Sequence, residues 1–142
     1  MKYQNIYQLF REQTAKYGGE AVFYSLKSEP PALVGGLTSN NWNAINWEDF
    51  EEQVHDFACA LLAKGLSKGA SVAILAGNVP EWTNVYVPTS AAGGVGVGIY
   101  PTSSAEQCEY IINHSDAEFF VFESFQHLNK IGVIVDNLPK VK

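Results

Sequence analysis

The stretch Gly65–Ser115, GLSKGASVAILAGNVPEWTNVYVPTSAAGGVGVGIYPTSSAEQCEYIINHS, decides the fold. Within it Ser71–Leu75 is a short apolar run, Asn78 with Glu81 has capping-box spacing, and Gly93–Ile99 leads into a second apolar run. Ser104 with Gln107 then opens another helix. Strand, capped helix, strand and capped helix in one stretch predict a right-handed crossover unit of a parallel sheet.

Upstream, Asn5 can cap a helix whose apolar positions Ile6, Leu9, Phe10 and Tyr17 share a face, with Gly18 as the left-handed stop. Ala21–Leu26 reads as a strand and Trp42–Trp47 as a second, antiparallel to the first. Between them, residues 28–41 are dominated by Ser, Pro, Gly and Asn, so they read as a loop. Asn46 is placed to cap the next helix, and Glu48, Asp49, Glu51 and Glu52 set carboxylates against the positive end of its dipole. The stripe Phe50, Val54, Phe57, Ala58, Leu61 and Leu62 has clear helical spacing, and Lys64-Gly65-Leu66 closes that helix.

Downstream, Pro80 suits a first helical turn, whereas Pro88 predicts a kink or an early stop. A helix from Ser104 to about Asn113, a strand Glu118–Phe122 and a helix begun by Ser124 with Phe125, Leu128 and Ile131 complete the chain. Three apolar runs, 71–75, 95–99 and 118–122, separated by helices, predict an α/β, doubly wound, mostly parallel sheet with helices on both faces. The division is residues 1–47 as helix, hairpin and loop and 48–142 as α/β crossover units, within one domain. The alternation calls for a further strand just where the chain stops at Lys142.

The 15 acidic against 9 basic side chains give a net charge of −6, the wrong sign for a nucleic-acid partner. The start Met1-Lys2-Tyr3-Gln4-Asn5 lacks a signal-peptide pattern, and no apolar run is long enough for a transmembrane helix. Cys59 and Cys108 sit inside helical patterns and read as reduced, buried small hydrophobes rather than a disulfide or metal pair. A cytoplasmic setting is expected.

Asn78-Val79-Pro80-Glu81-Trp82, Ala91-Ala92-Gly93-Gly94 and Ile99-Tyr100-Pro101-Thr102-Ser103-Ser104 resemble the amino-terminal region of the adenylate-forming acyl-CoA synthetases, especially the long-chain fatty acid group. The resemblance extends from the helix near Asn5 through Trp47-Glu48-Asp49-Phe50 to Leu138-Pro139. It implies a parent enzyme that joins a fatty acid to AMP using ATP and magnesium and then transfers the acyl group to coenzyme A. It also implies a sheet that continues beyond this segment and catalytic residues that lie beyond Lys142. No catalytic, cofactor-binding or metal residue is therefore assigned within the chain, and the segment alone is expected to be inactive. Peripheral membrane contact of the parent stays open.

The chain's own motifs agree with that restraint. Gly93-Gly94-Val95-Gly96-Val97-Gly98 contains no G-x-G-x-x-G, and these glycines follow a helix and enter a strand, the reverse of a phosphate loop. Thr89-Ser90-Ala91-Ala92-Gly93-Gly94 echoes a phosphate loop but has no following Lys. His55, His114 and His127 have neither metal nor triad spacing, and the acid cluster at 48–52 reads as a solvated helix start. Asn78-Glu81 reads as a capping box with Trp82 turned inward. Tyr100–Ser104 reads mainly as a strand exit, on the side where parallel sheets bind ligands. The competing classes are a stand-alone α/β module that binds a nucleotide or protein, and an interaction domain. Exposed sheet edges or apolar patches predict self-association of the isolated segment.

Overall fold

A computed structural model describes residues 3–26 and 42–142. The loop expected at 28–41 lies outside the described residues. The first helix, α1 (Ile6–Tyr17), starts at Asn5, whose side chain accepts from Gln8 N, and stops at Gly18, whose φ of +39° favours glycine. Its buried face is Phe10 and Thr14, while Ile6 is exposed. The expected apolar face is thus rotated: the Thr14 hydroxyl bonds Phe10 O at 3.2 Å, so its polarity is met inside the helix and it can be buried.

Strands β1 (Ala21–Leu26) and β2 (Trp42–Asn46) pair antiparallel, as the alternation predicts. Trp47 is the first residue of α2 (Trp47–Ala63) rather than the end of β2, because the Asn46 side chain accepts from Asp49 N at 2.7 Å and starts the helix there. Phe50, Val54, Ala58 and Leu61 form its buried stripe, and Leu62 points outward. The helix ends as its sequence predicts. Gly65 adopts φ +85°, Gly65 N bonds Leu62 O and Leu66 N bonds Leu61 O, both at 2.9 Å, and Leu66 folds under the last turn.

The main sheet consists of β3 (Ser71–Leu75), β4 (Val95–Ile99) and β5 (Ala117–Phe122), in the order β4-β3-β5 and parallel throughout. Every residue of β3 is buried, and alternate side chains serve two cores. Val72 and Ile74 pack with Leu61 and Leu66 of the α2 end and Val85 of α3 (Pro80–Ala91). Ala73 and Leu75 pack with Cys108 and Ile112 of α4 (Ala105–His114) and with Ile131 of α5 (Leu128–Gly132). Helices thus cover both faces. A third cluster, Phe10, Phe50, Val54 and Val87, fastens α1 to the outer sides of α2 and α3.

Three local expectations need correction. The capping box at Asn78 and Glu81 does not form: Pro80 at the first helical position holds Val79 extended (φ −121°, ψ 153°), so Val79 is the N-cap and Asn78 falls one residue outside. Nor does Pro88 stop α3, which continues to Ala91. A proline in the last turn forfeits a single backbone bond, and Thr89 Oγ1 adds one to Val85 O at 2.7 Å. Finally, the helix expected from Ser124 is broken into a 3-10 turn (Phe125–His127), the five-residue α5 and a second 3-10 turn (Val135–Asn137). Ser124 makes no capping bond, and Gly132 followed by the β-branched Val133, Ile134 and Val135 disfavours continuation.

The glycines of β4 let α3 lie directly on the strand. A Cβ at Gly96 would clash with Cδ2 and Cε2 of the Tyr86 ring, and one at Gly98 would meet Trp82 Cζ2 at an ordinary 3.5 Å. Trp82 and Tyr86 stack on each other, with centroids 4.8 Å apart. Gly96→Ala is therefore expected to cost about 1–3 kcal/mol through overpacking, and Gly98→Ala to be neutral or stabilising by up to about 1 kcal/mol. Denaturant midpoints of the two variants provide the check, and equal effects would contradict the packing described.

Glu118, at the start of β5, ties three segments together. Its Oε2 accepts from Lys142 Nζ at 2.9 Å and from Ser67 N at 2.8 Å, while Lys142 Nζ also donates to Gly65 O at 2.6 Å. The Lys142 hydrogen bond, followed by that of Ser67, pushes the carboxyl from 4.5 down to about 2. A depressed carboxylate stabilises the fold fully above its unfolded value and loses that contribution as pH falls through its folded value. The stability advantage of the native chain over Glu118→Gln should accordingly be constant above pH 4.5 and shrink toward pH 2. Thermal midpoints across that window test this; a gap that does not vary with pH would contradict it.

Candidate functional site

Connections from β3 and β4 leave toward opposite faces of the sheet: α3 packs on the side of Val72 and Ile74, α4 on the side of Ala73 and Leu75. Neighbouring parallel strands with diverging exits leave a crevice at their carboxyl ends. Here it is a cleft of about 550 Å³, lined by residues 76–79 at the β3 exit, Trp82 and Thr83 of α3, and residues 98–101 at the β4 exit. That volume lies within the range of small-molecule sites, roughly 300–1,000 Å³.

The lining is mainly apolar. Trp82, Val79, Ile99 and Pro101 supply its walls, Asn78 and Thr83 supply polar side chains, and among the described residues no Lys, Arg, His, Asp or Glu is part of it. Tyr100 stands at the mouth and is 81% exposed. Trp82 has one face on Tyr86 and lies over Gly98, so it belongs to the core and the cleft at once. The arrangement can hold an apolar group and orient it through the Asn78 amide and the Thr83 and Tyr100 hydroxyls. It offers no general acid, base or nucleophile with a partner.

The strand exit Tyr100–Ser104 serves two ends. Ser104 forms a complete capping box on α4, its Oγ accepting from Gln107 N at 3.3 Å while Gln107 Oε1 accepts from Ser104 N at 2.8 Å. Tyr100 and Pro101 meanwhile line the cleft. Glu123 and Lys130, which sequence reasoning passed over, secure the rims. Gly77 N donates to Glu123 Oε2 at 2.8 Å, and Lys130 Nζ donates to Pro101 O at 2.8 Å and Ser103 O at 2.6 Å. Their partners are backbone groups distant in sequence, so no motif could mark them.

The remaining motifs lie elsewhere. Thr89 is fully buried in α3, and its hydroxyl is taken by Val85 O. His55 Nε2 lies 3.8 Å from Cys59 Sγ on the outer side of α2, and His114 stacks on Tyr110 with centroids 5.3 Å apart. Cys59 is exposed, which corrects the expectation that both thiols are buried: its helical position faces away from the Phe50, Val54, Ala58 and Leu61 stripe. Cys108 is buried, and burial pushes its thiol pKa up, with the Lys130 charge opposing. Glu51 of the acid cluster pairs with Arg11 at 2.8 Å on the surface, a contact worth at most about 1 kcal/mol. Among the described residues no group of three or more His, Cys, Asp or Glu could hold a metal ion, and no helix is long and apolar enough to cross a membrane.

The family model for AMP-binding enzymes matches residues 10–142. Long-chain-fatty-acid–CoA ligase heimdall of Drosophila melanogaster is 31% identical over 142 residues, 98% of this chain and 19% of the relative. Long-chain-fatty-acid–CoA ligase ACSBG2 of Xenopus laevis is 33% identical over 137 residues, 96% of this chain and 17% of the relative. The chain thus spans under a fifth of the length of these curated relatives. In structure it is similar to the N-terminal domain of FACL13 from Mycobacterium tuberculosis, with a TM-score of 0.80 and 18% identity over 99% of this chain and 33% of that one. It is likewise similar to the anthranilate CoA ligase AuaEII in complex with anthranoyl-AMP, with a TM-score of 0.79 and 18% identity over 98% of this chain and 24% of that one. The match over residues 10–142, nearly the whole length, leads to one conclusion: this chain belongs to the family of AMP-binding enzymes.

Proposed function

We propose that these residues form the opening wall of the large domain of a long-chain fatty acid–CoA ligase, an ATP-dependent acid–thiol ligase acting on a fatty acid and coenzyme A. The observation that carries the proposal is the near-complete coverage of the chain by relatives of that name. A cytoplasmic setting belongs to the same reading. Within this segment the role is architectural: β3 and its two cores hold the cleft, whose apolar lining suits part of an acyl substrate.

The residues do not fit ATP or magnesium. Among the described residues no cation lines the cleft, and the ammonium of Lys130 is committed to two carbonyls on its rim. Triphosphate charge needs Lys, Arg, a bound metal ion or a run of free N–H groups at a helix start, and α3 begins with a proline that has no N–H to offer. The nucleotide, the metal and the reacting groups are therefore assigned to residues outside this chain. Self-association belongs to the proposal as well, because β4 and β5 each have a single neighbouring strand among the described residues and Val95, Val133 and Val135 are exposed.

The complete polypeptide containing these residues, supplied with ATP, magnesium, coenzyme A and palmitate, is expected to release AMP and pyrophosphate and form palmitoyl-CoA. The 142-residue chain alone is expected to show neither turnover nor saturable ATP binding by calorimetry. Turnover or saturable binding by the chain alone would overturn the assignment. Sedimentation velocity should show association of the isolated chain that rises with concentration; a strictly monomeric boundary would contradict the exposed-edge argument.

A further inference from the structure

The two lips of the cleft come from different strands, and a third strand's exit is bonded to both of them. The chain leaving β5 first places Glu123, whose N–H donates to Leu75 O at 3.1 Å and whose carboxylate accepts from Gly77 N at 2.8 Å. At α5 it places Lys130, whose ammonium donates to Pro101 O and Ser103 O. One side chain therefore grips the β3 lip and the other the β4 lip. The grip is close, since a Cβ at Gly77 would lie 3.4 Å from Glu123 Oε2 and 4.0 Å from Pro101 Cγ.

Both grips are charge-assisted, the stronger kind of hydrogen bond, and the Lys130 bonds are partly shielded from water. A lysine with two backbone carbonyls as acceptors fixes the course of Pro101–Ser103, and hence where Tyr100 and Pro101 stand over the opening. We infer that Glu123 and Lys130 are positioning residues that hold the lips at the separation admitting the apolar chain of a carboxylic acid. The inference rests on the fatty acid ligase reading for its ligand and on the three hydrogen bonds for its geometry. The lining supports an apolar occupant, because among the described residues it holds no cationic side chain and so gives an anion nothing to pair with.

A merely structural role for the two residues would loosen the whole fold, and the tryptophans can tell the difference. Trp82 lines the cleft, whereas Trp47 is packed with Phe10 and Tyr17 in a separate cluster. The chain labelled with 5-fluorotryptophan should give fluorine resonances assignable through Trp82→Phe and Trp47→Phe. Titration with laurate is expected to move the Trp82 line and leave the Trp47 line in place. Lys130→Met and Glu123→Ala are each expected to shift the Trp82 line without laurate, and to raise the half-saturating laurate concentration about tenfold or more, the scale of one lost charge-assisted hydrogen bond. Lys130→Arg, which can still donate to two carbonyls, should restore both readouts.

Variants that move the Trp82 and Trp47 lines together, or neither, would overturn the positioning role in favour of a structural one. An unchanged half-saturating concentration would do the same. A wild-type Trp82 line indifferent to laurate would overturn the inference through its ligand, while palmitoyl-CoA formation by the complete polypeptide would still judge the ligase reading separately.

Discussion

Burial of β3 on both faces is the constraint on which everything else depends. Five consecutive residues, Ser71 to Leu75, have no outward side, so the sheet needs a helical layer above and another below. Val72, Ile74 and Leu75 alone contribute on the order of 1.5–3 kcal/mol each by leaving water. The α2–α3 pair answers Val72 and Ile74, and α4 with the carboxyl-terminal turns answers Ala73 and Leu75. Because consecutive connections must serve opposite faces, they part at the strand exits and leave the cleft between them. The cleft is thus a geometric consequence of a doubly covered strand.

How close the upper layer comes is set by β4. Its Gly96 and Gly98 present bare backbone to Tyr86 and Trp82, and the Tyr86 ring lies where a side chain at position 96 would otherwise stand. This brings an indole to the wall of the cleft without exposing the rest of α3, whose Val85, Val87, Pro88 and Thr89 are all buried. A helix buried on several sides has no clean polar face, so α3 is the element whose sequence is least amphipathic and whose placement depends most on its neighbours.

Much of the architecture is written locally. Asn46, Ser104 and the Gly65-Leu66 pair mark helix ends through bonds that span three to five residues, and a reader of the chain can foresee them. The three apolar runs announce the parallel strands, of which β3 alone is buried along its whole length among the described residues. Local reading fails where a neighbour outbids the pattern. Thr14 is buried in place of Ile6 because its hydroxyl finds Phe10 O, and Pro80 shifts the start of α3 away from an otherwise plausible Asn78 cap. Cys59 lies outside because its helical position faces away from the Phe50, Val54, Ala58 and Leu61 stripe.

Of the candidate site, the Tyr100–Ser104 exit was legible as the end of a parallel strand, and the match with AMP-binding enzymes follows from residues visible along the chain. The rims were not legible. Glu123 meets Gly77 across 46 positions, and Lys130 meets Pro101 and Ser103 across 29 and 27. The acceptors and donors at those distant ends are backbone groups, identical at every residue, so they leave no trace in composition or spacing. The sequence by itself determined the five strands, the Asn5, Asn46 and Ser104 caps and the family, since each rests on side chains near one another along the chain. Tertiary structure alone decided the strand order, the cleft and the residues that grip it, because those depend on which distant backbone groups the packed cores bring within hydrogen-bond reach.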